Sequence, residues 1–122
     1  MTRPHKLNIM LYIALNNLLL CVIAHHTKIG SNVPMSKLNN LTVLSSLIKS
    51  YLAKDKSSNK VKDSVCLALA KLISVVVLNN STMASLDLLL NNSQVKSILT
   101  NHCMDFELEN LHNQQLQKTN FL

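Results

Sequence analysis

The stretch Val65-Cys66-Leu67-Ala68-Leu69-Ala70-Lys71-Leu72-Ile73-Ser74-Val75-Val76-Val77-Leu78 is the most apolar part of the chain, and its reading decides the fold. Val61, Val65, Ala68, Leu69, Leu72, Ile73 and Val76 recur at three- and four-residue steps, the spacing that lines side chains along one face of an α-helix. The β-branched end, Val75 to Val77, has strand propensity. A strand also needs a partner and a turn that leads to it, and the neighbouring sequence offers neither. The spacing predicts a central core helix.

Composition extends that reading outward. Only one Gly and two Pro occur in 122 residues, so the tight turns of an antiparallel sheet have almost nothing to be built from. Upstream, Asn32-Val33-Pro34 makes a stop and restart. From Lys37 to Ala53 the residues Leu38, Leu41, Leu44, Leu47, Ile48, Tyr51 and Leu52 then share one face, with Lys37, Asn40, Ser46, Lys49 and Ser50 off it. Lys54 to Asn59 reads as a loop. Downstream, Asn79-Asn80-Ser81 offers caps to a helix carrying Met83, Leu86, Leu89 and Leu90, and Asn91-Asn92-Ser93 breaks again. Val95, Ile98 and Leu99 form a short helix ending near Asn101-His102. Asp105 caps a last one with Glu107 and Glu109 in its first turn. The expected fold is all-α, a short helical-repeat-like array or a small bundle of about five to six helices. One domain would span residues 1–111, followed by a polar, fraying tail over 112–122.

The first segment is open to three readings. After Thr2-Arg3-Pro4-His5-Lys6 comes an apolar run from Leu7 to Ala24. A positive start, a hydrophobic stretch and small residues at Val22-x-Ala24 suit a secretory signal cut before His25. The length also suits a membrane anchor. Asn16 and Asn17 oppose both, because adjacent amides are costly to bury without partners. As a helix of a globular domain, Leu7, Met10, Leu11, Ala14, Leu18, Cys21 and Val22 make one apolar stripe, with Asn8 and Asn16 facing water. Four sequons, at Asn40, Asn79, Asn80 and Asn91, accompany the secreted reading, but a chain this rich in Asn, Ser and Thr yields about two or three by chance.

The chemistry-bearing residues are sparse. Cys21, Cys66 and Cys103 are too far apart for a Cys-x-x-Cys ligand set and odd in number for a disulfide framework, so they read as buried thiols. His25, His26 and His102 have no local spacing with Cys103 that suits zinc. No phosphate loop, nucleophile elbow or His-Glu-x-x-His motif occurs, so neither catalysis nor a cofactor is expected. The aromatic content is 3% with no Trp, which leaves an aliphatic core and few rings to anchor a binding surface.

Charge is polarised along the chain. Residues 1–71 carry ten basic and two acidic side chains, whereas residues 72–122 carry two basic and four acidic ones. Lys49, Lys54, Lys56, Lys60 and Lys62 form the densest cluster and are the candidate contacts for an anionic surface. Without Arg forks or interleaved aromatics they read better as a solvated loop, and nucleic acid is a poor fit.

Leu41 to Asp55 is a leucine-rich helix with a charged turn. It is followed by Val61-Lys-Asp-Ser-Val-Cys-Leu-Ala-Leu-Ala-Lys-Leu72 and then Asn79-Asn80-Ser81-Thr82, and the whole resembles one armadillo-type helical repeat across about residues 38–86. It lacks the Gly that usually kinks such repeats between their first helices. The resemblance implies a protein-protein interaction module or scaffold for a protein or peptide partner. A short solenoid of this kind also invites self-association. The expected setting is intracellular, in cytoplasm or nucleus. The alternative is a small secreted or membrane-tethered helical protein with a signal removed near residue 24, and the membrane would be met only through residues 7–24.

Overall fold

The computed structural model describes residues 6–31, 33–54, 61–79 and 92–120. Among them are four α-helices, α1 (Lys6–Lys28), α2 (Leu41–Leu52), α3 (Asp63–Leu72) and α4 (Ser93–Asn120), and no strand. A 3₁₀ turn, Met35–Asn39, precedes α2, and a π-helical turn, Ile73–Leu78, continues α3. The chain is all-α. The helix count falls below the expectation for two reasons. The short helix at Val95–Leu99 and the last one starting at Asp105 are a single helix, α4. The helix expected around Met83 to Leu90 lies outside the described residues, as do Lys56, Lys60 and most of the loop between α2 and α3.

The stretch from Val65 to Leu78 is helical to its end. Its β-branched part is where the winding widens from α to π, which relieves the crowding that branched Cβ atoms impose on the preceding turn. Val65, Cys66, Leu69, Ala70, Leu72, Ile73 and Val76 are buried in it. They meet Leu44, Leu47, Ile48 and Tyr51 of α2, which packs along α3. Lys37, Asn40, Ser46, Lys49 and Ser50 are exposed, as the spacing required.

Asn40 divides what the spacing alone had joined. Its side-chain oxygen accepts hydrogen bonds from the backbone N–H groups of Thr42 and Val43 at 3.0 and 3.2 Å, so α2 begins at Leu41 and Leu38 is left buried in the 3₁₀ turn. Asn92 starts α4 in the same way, accepting from Gln94 and Val95 at 3.0 and 3.3 Å. Two of the four sequon asparagines or their neighbours thus serve as caps.

α1 packs most extensively against α4, and also against α2 and the π turn. Leu11, Leu15, Leu18 and Val22 form its fully buried stripe, joined by Ala14, Leu19 and Cys21. The two amides part company. Asn16 is exposed, while Asn17 is buried and accepts a hydrogen bond from the Asn110 side chain at 3.2 Å. Lys28 donates to the buried Asn113 at 3.0 Å, so the polar stretch from His112 onward continues α4 where a tail was expected.

The single glycine ends α1. Gly30 has φ +81°, its N–H reaches the Thr27 carbonyl at 3.1 Å, and Ser31 N–H reaches His26 O at 2.8 Å, the pairing of a Schellman close. Among the described residues a Cβ there meets nothing within 4 Å, so it is the left-handed backbone that opposes substitution. Gly30→Ala is expected to lower stability by about 1 kcal/mol in urea unfolding, with an unchanged m-value. An unchanged midpoint would mean that α1 does not close this way.

Candidate functional site

A partly exposed polar cluster ties three helices together. The Tyr51 hydroxyl of α2 and the Lys54 ammonium just beyond it both donate to the Glu109 carboxylate of α4, one to each oxygen. Lys54 Nζ also lies 4.2 Å from the centroid of the Tyr51 ring. His25 of α1 meets that ring edge-on at 5.8 Å, and the Cys21 thiol donates to the Phe106 carbonyl at 3.3 Å. His26 shows its nitrogens' roles plainly. Leu47 O can only accept, so Nε2, 3.2 Å away, carries the proton, and Nδ1 is buried with no hydrogen-bond partner among the described residues.

The electrostatics of the cluster are those of a tie. Burial pushes the Glu109 carboxyl up, but the hydrogen bonds from Lys54 and Tyr51 outweigh that and hold it below the ordinary glutamate value. Burial pushes the Cys21 thiol up to about 11 and raises that of Cys66, so neither is a ready thiolate. Burial also lowers His25, with the His26 charge second. Because the folded carboxyl of Glu109 binds its proton only below the unfolded value, its contribution to stability is complete above about pH 4.3 and fades as pH falls through the lowered folded value. Glu109→Gln is therefore expected to cost about 1 kcal/mol at pH 7 and to flatten the acid limb of the stability profile. Equal acid slopes in the two proteins would show that the carboxylate is not held by the cluster.

Beside it lies a half-open cavity of about 380 Å³, floored by Leu52, Val61, Ile98 and Phe106 and rimmed by Lys54 and Glu109. Its charged groups are already satisfied by one another. His102 on the same rim pairs with Asp105 at 3.1 Å.

A second feature is apolar and faces outward. Helical rotation places Met104, Leu108 and Leu111 within one narrow arc of α4, opposite the core residues Val95, Leu99 and Phe106. Met104 is 63% exposed, Leu108 61% and Leu111 49%. On α1 the same rotation places Ile9, Ile13 and Leu20 opposite Leu11, Leu15, Leu18 and Val22, and these too are exposed. Ile9 and Ile13 share a groove with Met104 and Glu107, so the two outward stripes adjoin. α1 and α4 run parallel. Asn17 pairs with Asn110, Lys28 with Asn113, and the start of α1 lies beside residues 103–107. The sequence carried a signal for this face, since α1 is apolar nearly all round and Met104, Leu108 and Leu111 recur at helical spacing.

The lysine cluster is divided among different duties. Lys49 is paired with Asp63 and Lys54 with Glu109, while Lys62 is exposed at the entry to α3. Lys56 and Lys60 lie outside the described residues. Cys103 is half-buried in the groove beside Met104 and donates to Thr100 O at 3.5 Å. Among the described residues no three His, Cys, Asp or Glu side chains are grouped to hold a metal. No protein family, curated protein or solved structure matches the chain.

Proposed function

We propose that the chain is a non-catalytic protein-protein interaction module or scaffold, with α2 and α3 as an armadillo-like helical pair and a partner that contacts the outer face of α1 and α4. The observation that carries this is the pair of adjoining apolar stripes, Ile9, Ile13 and Leu20 with Met104, Leu108 and Leu111, on the side away from the core. Their exposed parts amount to on the order of 500 Å², the size of the largest apolar patch on typical monomers and commonly a contact surface. The packing of α2 on α3 supports the armadillo-like reading. The raised thiols and the mutually satisfied Lys54 and Glu109 support the absence of catalysis.

A secreted or membrane-tethered protein with its signal removed near residue 24 is the second reading. It draws on α1, where residues 9–28 are long and apolar enough to cross a membrane by length and composition. The packing of α1 into the core favours its retention, and with it the intracellular setting. The interaction reading is tested by placing the photo-crosslinking residue p-benzoylphenylalanine at Leu108 of the full chain in cells. Irradiation is expected to give a discrete protein adduct, and the same residue at the exposed Ser64 of α3 is expected to give none. Equal labelling at the two positions, or no protein adduct at Leu108, would overturn it.

A further inference from the structure

α1 and α4 form a layer two helices wide that is buried on one side and apolar on the other. Such a layer is half of a four-helix arrangement, and the surface that best complements a flat, two-helix apolar face is another of the same kind. Resting on the preceding reading, we propose that the partner is a second copy of this chain, with the outer faces of α1 and α4 paired antiparallel about a two-fold axis.

The register of the pair follows from α4. Its outward stripe is centred between Glu107 and Leu108, and a two-fold axis crossing α4 there sets Met104 against Leu111 of the second copy and Leu108 beside its Leu108. α1 lies parallel alongside, with Asn17 meeting Asn110, 93 residues on, and Cys21 and Lys28 meeting Phe106 and Asn113, each 85 residues on. Ile9 and Ile13, which share a groove with Met104 and Glu107, adjoin that seam.

The area is adequate for an interface. Two faces of roughly 500 Å² remove about 1,000 Å² of apolar surface, which reaches the threshold for a specific pair. Glu107 and Asn16 sit exposed among these apolar residues, which disfavours an anionic lipid surface as the cover. Glu107 also lies next to the axis, where it meets Glu107 of the second copy. That repulsion weakens the pair without abolishing it.

Sedimentation velocity of the full chain over a wide concentration range tests the proposal. A monomer-dimer equilibrium is expected. Leu108→Glu raises its dissociation constant roughly tenfold or more, because it sets charges in an apolar interface, and leaves the helical circular dichroism unchanged. Glu107→Gln tightens the pair, whereas it would loosen a complex with a basic partner helix. Leu108→Cys is expected to form a disulfide-linked dimer under mild oxidation and Asn101→Cys is not, because only the former lies close enough to the axis.

A monomer at every concentration, or a dimer indifferent to both the Leu108 and the Glu107 changes, overturns the proposal. The probe 1-anilinonaphthalene-8-sulfonate separates that failure from failure of the interaction reading. A monomer that binds the probe, and loses it with Leu108→Glu, keeps an open face for a different partner. A monomer that does not bind it has no such face. Phosphatidylcholine vesicles that carry down the monomer, but not Leu108→Glu, would give the face to lipid and sink the pairing.

Discussion

A chain beginning at His25 is expected to show no cooperative thermal transition. The segment it lacks supplies Leu11, Ala14, Leu15, Leu18, Leu19, Cys21 and Val22, each no more than 5% exposed. A fully buried leucine contributes about 1.5–3 kcal/mol, so Leu11, Leu15 and Leu18 alone approach the 5–15 kcal/mol that holds a typical domain together. The truncation would also strip Asn110 of its Asn17 partner and Phe106 O of the Cys21 thiol. Differential scanning calorimetry decides the matter. A truncated chain that melts cooperatively near the temperature of the full one would show that residues 1–24 are dispensable, as a removable signal requires.

The second large effect contrasts two leucines on α3. Leu69 is fully buried and Leu67 is 37% exposed, although they stand two residues apart. On a strand they would share a face, whereas a helix turns them about 200° from each other. Leu69→Ala is expected to cost about 3 kcal/mol in urea unfolding and Leu67→Ala less than about 1 kcal/mol. Similar losses at both positions would contradict the helical burial of the stretch on which the fold turns.

What the sequence disclosed follows its range of interaction. The buried faces of α2 and of α3 with its π turn were legible because each repeats locally, with Leu44, Ile48 and Tyr51 in one and Val65, Leu69, Leu72 and Val76 in the other. The caps were legible as breaks, but not which Asn would end an apolar run. Asn40 interrupts a face that periodicity treats as continuous from Leu38 onward. The lone Gly30 was a signal for the end of α1 that the apolar pattern obscured.

α4 was misread in its middle because Asn101-His102 looks like a terminus. Nothing there forbids a helix, and the His102–Asp105 pair one turn apart supports it. Long-range partnerships were out of reach. Asn17 looked like a defect in an apolar run because its partner lies 93 residues away, and Lys54 belonged to a basic cluster until Glu109 was placed beside it. The outer face has the same origin. An apolar residue reads as core until the fold shows which side of the helix the core took.

Native-state amide hydrogen exchange tests most directly that α1 belongs to the folded body. Its amides from Leu11 to Val22 should open with the same free energy as those from Val65 to Leu72 in α3, since the two helices bury a common core. Exchange in α1 near the rate of an unstructured peptide, with α3 still protected, would mean that the rest of the chain folds without it.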